Sequence, residues 1–189
     1  MSHHPAMQTT LSLGASAEWG RSINRMVRDQ LQAGARLARV QTDVLPTAGA
    51  ARAAAAVSIE TDSIRFSHTA AEVVVRQGLK APLLTELADA SGIDAKLLYE
   101  FAGIDRTTVA RRAARNDVLP QDAAVKALEF AELMATAADI FGTVREAARW
   151  LTLPHPLLDG ETPLQRARTP WGMQRVRSML GALKYGGVV

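Results

Sequence analysis

The chain has no cysteine in its 189 residues. That excludes disulfides, thiolate metal sites and a cysteine nucleophile, and it suits a reducing cytoplasm. Aromatic residues are scarce, at 5% of the chain, while alanine is abundant, so helices are favoured over sheets. No apolar run is long enough to span a bilayer. The start, Met1-Ser2-His3-His4-Pro5, lacks the charged head and apolar stretch of a signal peptide, and the expected location is cytoplasmic. Groups suited to catalysis are sparse as well. His3 and His4 lie at the terminus, and His68 and His155 have no partner at ligand spacing. Ser91 and Ser178 have no neighbouring base in the sequence. Leu13-Gly14-Ala15 and Gly186-Gly187 lack the strand and Lys/Ser context of a phosphate loop. The expectation is a protein that is not an enzyme, with no cofactor, no metal and no catalytic residue.

What is present is charge arranged in blocks. The net charge is only +3, but Asp105 to Asn116 holds four Arg and one Asp. Asp117 to Gly142 holds five acids and one Lys, and Thr143 to Val189 holds seven basic residues and three acids. Such alternation fits a basic nucleic-acid face with a second basic surface elsewhere, or simply solvated faces.

Helix signals organise the second half of the chain. Residues 1–68 read as an N-terminal extension: about seventeen small or polar residues expected to be disordered, an amphipathic helix over Glu18–Val40, an alanine-rich linker, and a short hairpin over Val57–Ser67. A helix over Thr69–Gln77 should stop at Gly78, and one starting at Pro82 should stop at Gly92. Asp94 and Asp105 are caps for two further helices, the first ending at Gly103 and the second near Asn116. Pro120 opens a long helix to Phe141 whose apolar residues fall on two faces, so it should be buried between neighbours. Thr143 with Glu146, and Thr162 with Gln165, form capping boxes. Thr169-Pro170 starts the last helix, with Val176, Met179, Leu180 and Leu183 along one stripe.

Two of these helices have the spacing of a helix-turn-helix. The turn Gly103-Ile104-Asp105 lies between them, with Gly103 for the sharp reversal and Ile104 to plug the angle. On the second helix, Thr108, Arg111, Arg112 and Arg115 share a face by their spacing, with Val109, Ala110 and Ala113 expected inward. Arg can hold guanine edges bidentately, and Thr near the helix start can touch phosphate or a thymine methyl. The candidate DNA-binding residues are Arg106, Thr107, Thr108, Arg111, Arg112 and Arg115. The alternative is an ordinary helical pair with an Arg-rich solvent face.

Residues 117–189 give a compact helical unit in which Trp150 and Leu151 are expected in the core. The ordered set Ile104-Asp105-Arg106-Thr107-Thr108-Val109-Ala110-Arg111-Arg112, Ala138-Asp139-Ile140-Phe141-Gly142, Ala147-Ala148-Arg149-Trp150-Leu151, Pro154, Leu158, Gly160, Pro163, Leu164, Thr169, Gly172, Val176, Leu183 and Gly186 resembles Xre/MbcA/ParS-type antitoxins. The resemblance covers about Glu72 to the end. It implies a mainly α protein, with an Xre-like helix-turn-helix region over 69–120 and a small helical toxin-binding domain over 121–189.

The resemblance also implies a function: an antitoxin that closes the NAD site of a RES-domain toxin and represses its own operon. The partners implied are that NAD-consuming or ADP-ribosylating toxin, promoter DNA, and a second copy in a homodimer or a heterotetramer. The candidate toxin-binding residues are Trp171, Met173, Arg175, Arg177, Lys184, Tyr185, Gly186 and Gly187. Their basic character argues for steric plugging of a phosphate-binding site over phosphate mimicry. Two other readings stand beside it: a stand-alone repressor without a toxin, and an interaction scaffold that does not touch DNA.

Overall fold

The computed structural model describes Trp19, Arg25, Arg76 and residues 78–186. Apart from Trp19, Arg25 and Arg76, the expected helix over Glu18–Val40, the expected hairpin, the first seventeen residues and the expected helix ending at Gln77 lie outside the described residues, as do Gly187 and the two valines after it. The described residues form a helical protein without strands: α1 Pro82–Ser91, α2 Ala95–Ala102, α3 Arg106–Ala114, α4 Gln121–Phe141, α5 Val144–Thr152, a 3-10 turn at Pro156–Leu158, α6 Pro163–Arg166 and α7 Pro170–Lys184.

Local chemistry sets most of the boundaries. Asp94 accepts from Lys96 N, Asp105 from Thr108 N, Thr143 from Glu146 N and Thr169 from Gly172 N, so each satisfies an orphan N–H of the helix it starts. At α6 the box is reciprocal, because the Gln165 side chain accepts from Thr162 N. Left-handed Gly92, Gly103 and Gly142 end α1, α2 and α4. The expected helix to Asn116 is shorter: α3 ends at Ala114, and Asn116 sits at φ 50° in the turn that follows.

A single antiparallel bridge, Lys80 to Val118, closes the first three helices into a loop. Leu119 N donates to Leu79 O at 2.7 Å and Ala81 N to Asp117 O at 3.0 Å. Gly78, at φ 81°, is required for this approach, since a Cβ there would lie 2.8 Å from the Val118 side chain.

The long helix α4 is the spine. It packs against α1 and α2 on one side and against α5 and α7 on the other. Its Ala124, Ala127, Phe130, Leu133, Met134, Ala137 and Ala138 are almost fully buried, which explains why its apolar residues occupy two faces. Its Val125 departs from that pattern and is 37% exposed. Small alanines let neighbouring helices approach closely, and larger groups such as Phe130, with its ring 6.1 Å from that of Phe101, fill the space left between them. Leu151 is fully buried and Trp150 is half-buried against Phe141, centroids 5.4 Å apart, so both have core positions. Among the described residues no helix is long and apolar enough to cross a membrane.

Candidate functional site

The turn between α2 and α3 is built as a helix-turn-helix requires. Gly103 is left-handed at φ 67°, Ile104 is buried at the corner, and its N–H bonds Tyr99 O at 3.0 Å. Asp105 then caps α3. Hydrogen bonds from Thr108, through its side chain and its backbone N–H, hold the Asp105 carboxyl below the usual carboxylate range.

The outer face of α3 is basic and open. Arg106, Thr107, Ala110, Arg111, Ala114 and Arg115 are exposed, while Val109 is buried and anchors the helix. Two expectations need correction here. Ala110 lies on the exposed side and not in the core. Arg112 lies on the flank, half-buried. Its guanidinium donates to Val118 O at 2.9 Å and Asp117 Oδ2 at 3.3 Å, and its Nε is buried without a partner. Arg112 therefore ties α3 to the segment after it. Lys80, across the bridge, holds the same segment from the other side, donating to Asn116 O at 2.6 Å. Thr108 is half-buried and its backbone N–H is spent on the cap.

The last helix sorts the remaining candidates onto three sides. Met173 is 5% exposed and packs in the core with Val176, Met179 and Leu180, so its side chain offers no free surface. Arg177 and Lys184 lie on the flank facing α4, where they pair with Glu132 at 3.2 Å and Asp139 at 2.9 Å. Both pairs advance by seven residues, two turns, on each helix, so α4 and α7 run in the same direction. On the other flank Arg175 donates to Leu157 O at 3.0 Å, and Trp171, one turn before it, is 80% exposed. Tyr185 is 85% exposed and Gly186 follows at φ 74°. Gly187 is outside the described residues.

The structure adds apolar residues that the sequence alone did not single out. Leu153 and Leu157 are 49% and 42% exposed, and Leu183, placed by periodicity on the inner stripe, is 39% exposed. Leu157 sits in the loop that Arg175 grips. Pro154 and Pro156 bracket that loop, and outside a helix the spacing of apolar residues gives no signal of which way they point. The loop is firmly held. His155 Nδ1 accepts from Leu157 N, and Arg166 bonds Asp159 and Glu161 across the left-handed Asp159-Gly160 turn. Among the described residues no group of three His, Asp or Glu is placed to hold a metal ion.

These surfaces define a class: a helix-turn-helix module joined through one shared helix to a helical unit with exposed aromatic anchors. Residues 70–135 match the antitoxin Xre-like helix-turn-helix domain. Residues 136–186 match the antitoxin Xre/MbcA/ParS C-terminal toxin-binding domain. Together they span most of the chain, in that order, and the chain belongs to the Xre-type antitoxins of toxin–antitoxin systems. No curated protein sequence matches it.

Proposed function

We propose that this antitoxin neutralises a RES-domain toxin by covering its NAD site, and represses its own operon through α3. The observation that supports the reading is the pairing, on one chain, of an open Arg face on α3 with the exposed Trp171 and Tyr185 on and after α7. A repressor without a partner has no use for bare aromatics at both ends of one helix, whereas an interface draws much of its energy from such anchors.

In this reading Arg106, Thr107, Arg111 and Arg115 meet the operator, with Thr108 at the helix start near the backbone, and Arg112 holds the helix in place. The expected division of labour is an extension over 1–68, DNA reading over 69–120 and toxin binding over 121–189. Trp171, Arg175 and Leu157 form the docking face. Tyr185, Gly186 and Gly187 enter the toxin's cleft and block it sterically, the glycines permitting a close approach. The toxin consumes NAD or transfers its ADP-ribose; the antitoxin acts by occupancy and needs no catalytic group. A dimer on a two-fold operator, or a heterotetramer with two toxins, is the assembly that suits a helix-turn-helix.

The test is reconstitution. A RES-domain toxin that co-purifies with the chain should lose NAD turnover on addition of the full antitoxin. Turnover should return when Tyr185 to Val189 are removed, with promoter binding retained. Full neutralisation by that truncated chain would refute the tail as plug. A chain that purifies alone from its native cells as a dimer, with tight promoter binding, would refute the toxin assignment.

A further inference from the structure

Trp19 lies far outside the matched residues 70–186, yet it is 3% exposed and part of the central core. Its indole N–H donates to the backbone oxygen of Ala131, 112 residues away, at 3.2 Å. A buried indole needs a partner for that N–H, and a helix carbonyl has a second lone pair to offer. An aromatic ring of this size buries more apolar surface than any other side chain, so its packing there is substantial. It falls in the middle of α4. The next residue, Glu132, holds Arg177 of α7, and Asp139 two turns on holds Lys184. Ala131 and the residues one turn either side of it, Ala127 and Ala135, are small and buried at 3% exposure or less.

We propose that Trp19 is an intrachain clasp on α4, and that it positions α7, the helix that presents the docking face. The toxin-binding unit therefore extends beyond the family boundary to include this N-terminal residue. The indole is bonded at the level of α4 where α7 is tethered, one residue before Glu132, so undocking it loosens the α4–α7 pair before it disturbs α3.

The experiment uses the full chain and needs no toxin. The Trp150→Phe, Trp171→Phe double variant leaves Trp19 as the only indole. Its emission should be that of a buried ring, with acrylamide quenching several-fold weaker than in the same variant unfolded in guanidinium. Equal quenching in the folded and unfolded protein would overturn the clasp. Hydrogen exchange then reads the coupling: in Trp19→Ala the amides of residues 170–184 should exchange several-fold faster, while those of 106–114 stay as in the parent. Trp19→Phe keeps an aromatic ring, drops the N–H, and should fall between the two. Unchanged exchange in α7 of a folded Trp19→Ala would overturn the positioning role, and so would equal acceleration throughout the chain.

Discussion

Gly172 and Gly181 stand on the same helix and should respond to alanine with opposite signs. Gly172 is the third residue of α7, and its N–H is the one that Thr169 Oγ1 caps at 3.1 Å. A Cβ built there lies 1.8 Å from the carbonyl oxygen of Arg166 and 3.0 Å from Thr169 Oγ1. The first obstacle is backbone and cannot rotate away. It would have to retreat by roughly 1.5 Å to reach ordinary van der Waals distance. Overpacking of this kind costs about 1–3 kcal/mol, and disturbing the cap adds about 1 kcal/mol. The sum, about 2–4 kcal/mol, lowers the melting temperature of a chain this size by about 5–15 °C. A Cβ at Gly181 would point into open space. There alanine only gains helix propensity, about 0.5–1 kcal/mol, and should raise the melting temperature by about 1–4 °C. Thermal unfolding by circular dichroism of the two single variants decides the matter. If Gly172→Ala melts within a degree or so of the parent, or if both variants shift the same way, the close crossing of α6 and α7 is not a structural constraint.

Other perturbations test the remaining surfaces. Replacing Arg106, Arg111 and Arg115 by Ala should weaken promoter binding and flatten its dependence on salt, by about one unit of log–log slope for each phosphate left unneutralised; an unchanged slope in a filter or gel-shift titration would remove these residues from the interface. Arg112→Ala should instead destabilise the helix-turn-helix, seen as faster hydrogen exchange over residues 106–119, because it removes the guanidinium that donates to Val118 O and Asp117 Oδ2. Asp105 has a carboxyl held below its unfolded value, so its contribution is present above the unfolded pKa and is lost as pH falls through the folded one. Asp105→Asn keeps a capping oxygen and should make stability less sensitive to acid in that window; a parent-like acid limb in chemical denaturation would refute the cap's role. Trp171→Ala leaves the fold intact, since the ring is 80% exposed, but should cost toxin affinity at least tenfold, about 1.4 kcal/mol, by calorimetry.

Much of the helical framework was legible because its causes are local. Asp94, Asp105, Thr162 and Thr169 cap helices within three residues, and Gly92, Gly103 and Gly142 end them in place. The residues that escaped sequence reading have distant causes. Arg112 looks like its neighbours on α3 until Val118 folds back beside it. Met173 carries the residue type of an interface anchor, and only the packing of α7 turns it inward. Arg177 and Lys184 find carboxylates forty-five residues upstream, and Trp19 finds a carbonyl 112 residues downstream. Nothing in the spacing of a single segment encodes such pairings. The exposed Leu157 was hidden for a different reason: in a proline-bracketed loop there is no periodicity to say which apolar residue is left outside.

The continuity of α4 has a mechanical corollary. At 21 residues it is about 30 Å long, similar to one turn of duplex DNA, and no hinge interrupts it. It therefore works as a ruler as well as a spine. On the proposed function, cargo bound at α7 is kept at a set distance and a set rotation from DNA bound at α3. Inserting a single residue into α4 would swing that cargo by about 100° around the axis without altering either binding face. The length of one helix thus sets the spacing between the two proposed binding faces.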